Sequence, residues 1–110
     1  MIENTLDNIE ARIKGAASIK EADKQELLRL LTTLHTEVVV LSQTHGPQAE
    51  SIAHFVAAST HEATRDPLNP RLFKLSVDGL GASVAEVEQS HPRLVQVTNA
   101  ICSVLSNWGI

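Results

Sequence analysis

Aromatic side chains are scarce in this chain: there is no Tyr, one Trp and two Phe among 110 residues. That scarcity argues against surfaces that stack bases and against pockets built on rings. A single cysteine, Cys102, excludes an internal disulfide. No apolar run is longer than Val38–Leu41, far below the ~20 residues that span a bilayer. Lys and Arg form no cluster and the net charge is −4, so the basic footprint expected for nucleic acid or anionic lipid is missing. The opening Met1-Ile2-Glu3-Asn4-Thr5 has no basic stretch leading into an apolar one, which predicts no signal peptide and a cytoplasmic location.

What the chain has in quantity is aliphatic residues, within a hydrophobic content of 43%. At this length one domain is expected, residues 1–110, burying about two-thirds of its unfolded surface. Leu, Val, Ile and Ala must fill that core, which suits the packing of helix on helix.

The spacing of these residues is helical throughout. Ile2, Leu6, Ile9 and Ile13 step by four, three and four, and Gly15 ends the run. Ser18 and Glu21 have capping-box spacing for a second helix. Leu27, Leu31, Leu34, Val38 and Leu41 then form one stripe, widened by Leu28, Leu30 and Val39. Val38-Val39-Val40 would suit a strand locally, but the long helical pattern leading into it predicts helix. These two segments make an N-terminal hairpin, residues 1–45. His45-Gly46-Pro47 breaks the chain, with Pro47 placed to start a third helix over 46–66. Ile52, Phe55, Val56 and Ser59 give it a narrow stripe diluted by alanines.

Asp66-Pro67-Leu68-Asn69-Pro70 must be a loop, and Asn69 can cap the next helix. Phe73, Val77, Leu80, Val84 and Val87 mark this fourth helix, backed by Leu72 and Leu75. Gly79 and Gly81 weaken it by up to ~1 kcal/mol each relative to Ala. Close approach of a neighbouring helix at Gly79, with Ser83 four residues on, is the expected compensation, and a kink is the alternative. The fourth helix should break at His91, because a residue before proline avoids the helical region. From Pro92 a fifth helix runs to Gly109, with Leu94, Val97, Ile101, Val104 and Trp108 along one face and Val95 and Leu105 beside it. Residues 69–110 thus form a C-terminal helix pair.

Glu88, Ser90, His91, Pro92, Leu94, Ile101, Leu105, Gly109 and Ile110 resemble the ending of a family of small bacterial proteins known as a domain of unknown function. In that family a His-Pro pair introduces a final helix that closes on Gly-Ile. Leu6, Ile9, Leu27, Leu28 and Leu31 echo its N-terminal helical hairpin, and residues 47–70 read as an additional helix. The resemblance implies an all-α fold. It supplies no catalytic, cofactor or metal residues.

The candidate sites are weak as chemistry. His54 and His61 share a helix face but lie ~10 Å apart along it. Glu50 and His54 could form half a metal site, completed by Glu62 or His35. Bundle metal sites use two Glu-x-x-His pairs and two more Glu, a set this chain does not supply. His91 reads as a junction residue with Ser90 and Pro92, bonding nearby groups rather than a substrate. Cys102 flanks the last stripe with no cation beside it in sequence, which fits a small buried hydrophobe better than a redox thiol. Asp78-Gly79-Leu80-Gly81 follows no strand and is not a phosphate loop.

These readings predict an all-α antiparallel bundle of four to five helices with short loops, without cofactor, metal or catalytic residues. The expected function is a non-enzymatic interaction or scaffold module that self-associates as a homodimer or takes another protein partner. Its interface or core stripe is Leu94, Val95, Val97, Ile101, Val104, Leu105 and Trp108. The alternative is a binder of small molecules or lipid in an apolar cavity between helices. No nucleic acid or membrane span is expected.

Overall fold

A computed structural model describes residues 2–16, 19–65 and 67–109. Among these there are five helices and no strand: α1 (Ile2–Gly15), α2 (Glu21–Ser42), α3 (Gly46–Thr64), α4 (Pro70–Ala85) and α5 (Pro92–Gly109). Each helix packs against the one before it, as short connections require. α3 is the hub and touches all four others, whereas α4 reaches only α3 and α5 and so lies at the edge of the bundle. The particle measures 37 × 24 × 22 Å.

The stripes explain this arrangement. Leu27, Leu31, Leu34, Val38 and Leu41 of α2 are all buried, as are Leu6, Ile9 and Ile13 of α1. The Val38-Val39-Val40 segment is helical, because continuing a long amphipathic helix into the core outweighs the local preference of three β-branched residues. On α3, Ala49, Ile52, Ala53 and Val56 are buried, and the two alanines are small enough to let one central helix take four neighbours.

The helix ends depart from expectation in detail. α2 starts at Glu21 with Lys20 at its N-cap, where no side chain caps it. Glu21 is therefore the first helical residue rather than the third, and its carboxylate accepts a bond from Gln25. Ser18, the other half of the expected capping box, lies outside the described residues, as do Asp66 and Ile110. Pro47 is the second residue of α3, after Gly46, because His45 takes the N-cap. Asn69 caps α4 as expected: the Leu72 amide donates to Asn69 Oδ1 at 3.0 Å, ahead of Pro70.

α4 gives up regular helix at Ala85, earlier than His91. The chain then tightens, with the Val87 amide donating to the Val84 carbonyl, before the His91 amide bonds back to Val87 O at 2.8 Å. This keeps Val87 in the core while freeing His91 from the helical conformation that Pro92 forbids.

Candidate interaction surface

The α5 stripe is spent on the chain's own core. Leu94, Val97, Ile101, Val104 and Leu105 are buried, while Val95 and Trp108 are partly buried against them. Contacts from α2, α3 and α4 cover this helix. A full apolar stripe left over for a second subunit is therefore not what α5 presents. Trp108 is half-covered rather than enclosed, lining clefts beside Asp23 and Asn107.

Among the described residues, the large apolar side chains left exposed are Val40, Phe55, Leu68, Leu72 and Leu75. All but Val40 belong to α3, α4 or the connection between them. Leu75 is 57% exposed and Leu72 41%. Sequence pattern alone sets both behind the buried stripe of α4; they face outward because Phe73, Ser76, Leu80, Ser83 and Val84 already occupy the inward face. Leu72, Leu75, Gly79 and Ala82 recur at steps of three, four and three, a second apolar stripe beside the buried one.

Phe55 of α3 completes this surface. Its ring lies against Gly79, so close that a Cβ built there would come within 3.0 Å of three ring atoms. The expected close approach at Gly79 is thus made by one aromatic side chain. Phe55 itself remains 37% exposed, so it roofs the glycine instead of entering the core. Ion pairs stand nearby: Lys74 Nζ to Asp78 Oδ2 at 3.0 Å and Arg65 Nη1 to Glu62 Oε1 at 3.1 Å.

The junction residues meet at one end of the bundle. Ser90 Oγ and His91 Nδ1 are 2.9 Å apart, and Thr44 Oγ1 and His45 Nδ1 are 2.8 Å apart. The two imidazoles touch nearly at right angles, centroids 5.8 Å apart. Sequence reading placed His91 at a junction but missed His45 as its neighbour. Forty-six positions separate them, and only the packing of α2, α3, α4 and α5 closes that distance. Both carbonyls sit at helix starts, accepting from the Ala49 and Val95 amides.

The remaining histidines do not assemble. His54 and His61 are exposed on α3, and Glu50 is exposed as well. Glu88 and His91 have Glu-x-x-His spacing but straddle the turn before α5. Among the described residues no three His, Cys, Asp or Glu side chains converge on one point. Burial pushes the Cys102 thiol pKa up, the direction opposite to activation. No described helix is long and apolar enough to cross a membrane.

Clefts follow the helix seams. One of about 390 Å³ runs between α1 and α2, with Asp7, Glu10 and His35 over Leu6 and Leu31. Another of about 260 Å³ lies between α1 and α3, where Arg12, Asn8 and Thr5 surround Ile9 and Ala57. Arg12 is held there by the bond from its Nε to Thr64 Oγ1, 2.7 Å.

No family model, curated protein or solved structure matches this chain. Its functional reading rests on the molecule itself.

Proposed function

We propose that the protein is a non-enzymatic helical interaction module that associates with itself. The observation that carries this reading is the gathering of Phe55, Leu68, Leu72 and Leu75 on the α3–α4 edge of the bundle. Scattered exposed leucines are ordinary; apolar side chains grouped on one edge and rimmed by charge have the character of a contact surface. The core does not need them, since the inward faces of α3 and α4 are filled by other residues.

Sedimentation equilibrium across a hundredfold range of protein concentration tests it. A mass that rises from one chain to two as concentration increases is the expected result. A single-chain mass at every concentration overturns self-association.

A second reading, binding of a small molecule, is favoured by the α1–α3 cleft with its fixed Arg12 over an apolar floor. At about 260 Å³ that cleft falls just below the ~300–1,000 Å³ of ordinary ligand pockets and stands open to solvent. The apolar edge is the stronger feature. A thermal shift of the pure protein with small carboxylic acids would bring the second reading forward.

A further inference from the structure

The self-association proposed above rests on the α3–α4 edge, and α4 carries enough pattern to specify how two copies meet there. We propose that two copies dock through α4, antiparallel about a two-fold axis that passes between Leu75 and Gly79, with the Leu72–Leu75–Gly79–Ala82 stripe as the contact. The inference rests on the self-association reading and adds its geometry.

Three features of α4 agree. First, the stripe can pair with a second copy of itself. About an axis midway between Leu75 and Gly79, Leu72 falls opposite Ala82 of the partner subunit and Leu75 opposite Gly79 of the partner subunit. Leu72 therefore meets a small residue in both directions, as a two-fold interface demands, whereas the glycine opposite Leu75 is covered by the Phe55 ring of its own chain. The Phe55 ring, resting on Gly79 and partly exposed, gives Leu75 an apolar surface to meet.

Second, the charges are segregated. Arg71 and Lys74 lie in the first half of α4, with Asp78 in the second half and Glu86 just past its end. The same axis sets Lys74 near Asp78 of the partner subunit and Arg71 near Glu86 of the partner subunit. Opposite signs meet at both ends, even though each chain carries −4 overall.

Third, this distribution runs against the helix's own dipole. Cations stabilise a helix C-terminus and anions an N-terminus, yet α4 has no acidic residue in its first turn and no basic one in its last. A single chain gains from that order only the exposed Lys74–Asp78 ion pair, which contributes little. An antiparallel copy reverses the balance, because its acidic, carbonyl-rich end then lies beside Arg71 and Lys74. Exposed ion pairs contribute little affinity, so the leucines hold the pair together while the charges set its register.

The test uses the full-length chain in sedimentation equilibrium, with circular dichroism to verify folding of each variant. Leu75→Glu should weaken the dimer at least tenfold and Val40→Glu, on α2, should not. Lys74→Glu and Asp78→Lys, each alone, should weaken it, since each sets like charges opposite one another across the axis. Mixing the Lys74→Glu protein with the Asp78→Lys protein should restore dimers, now of one chain of each kind. A dimer indifferent to Leu75→Glu, or weakened single variants that fail to recover on mixing, overturns the α4 surface while leaving self-association standing. A wild-type chain that stays monomeric overturns both.

Discussion

The phenyl ring of Phe55 occupies the space that a side chain on Gly79 would need. One contact between α3 and α4 thus accounts for a glycine that otherwise only weakens its helix. Gly81, two residues on, meets nothing within 4 Å. The two glycines look alike in sequence and differ wholly in surroundings.

Replacing them separates helix propensity from packing. Gly81→Ala should raise stability by up to ~1 kcal/mol, the ordinary helical preference for Ala over Gly. Gly79→Ala should lose that gain and lower stability, because the Phe55 ring must leave its seat. In a Phe55→Ala background the Gly79→Ala change should become favourable again. Urea unfolding of the four proteins of this cycle measures the coupling directly.

Ile101 and Trp108 share the α5 stripe but should not be equivalent in cost. Ile101 is fully buried, so Ile101→Ala should cost ~2–5 kcal/mol. Trp108 is only partly buried, and Trp108→Ala should cost less than the ~3–5 kcal/mol of a fully enclosed Trp. Chemical denaturation of both variants, read by circular dichroism because one lacks the Trp, decides this.

Thr98 is fully buried on α5, and its hydroxyl has no hydrogen-bond partner among the described residues. Ser76 and Ser83, also buried, instead donate to the Phe73 and Leu80 carbonyls. An unpaired buried hydroxyl costs ~1–3 kcal/mol, and a methyl in its place removes that cost. Thr98→Val should therefore stabilise the protein, with a higher denaturation midpoint and unchanged helicity.

Cys102 should be a sluggish nucleophile in the folded chain, since burial holds its thiol above the ordinary value. A thiol-specific disulfide reagent at pH 8 should modify it faster in denaturant than in native buffer. Below the ordinary thiol pKa of ~8.5 both the folded and the unfolded chain keep the proton, and no stability is lost. As pH rises past that value the unfolded chain ionises first, so the stability held by the neutral thiol falls until the folded thiol ionises too. Cys102→Ser should remove that alkaline component in pH-dependent unfolding.

Much of the fold was legible from spacing. Leu27 through Leu41 and Leu94 through Leu105 fall on single helix faces, and burial on one side is the consequence of that periodicity. Asn69 before Pro70 announced a cap because the chemistry is local to four residues. Leu72 and Leu75 show the limit: a helix with two adjacent apolar stripes does not reveal which one its own chain will cover.

The amino-acid sequence by itself determined that this chain is helical and where the helices begin and end to within a few residues, save the end of α4, which stops at Ala85 rather than His91. Periodicity, prolines and caps act over a turn or two and need no distant partner. Only the tertiary structure decided that α3 is the hub, that α4 lies at the edge, and that Leu72 and Leu75 stay outside. It also decided that Phe55 roofs Gly79 and that His45 meets His91. Those outcomes depend on which helix faces compete for a shared interior, and that competition is settled by fitting side-chain volumes between residues far apart in the chain.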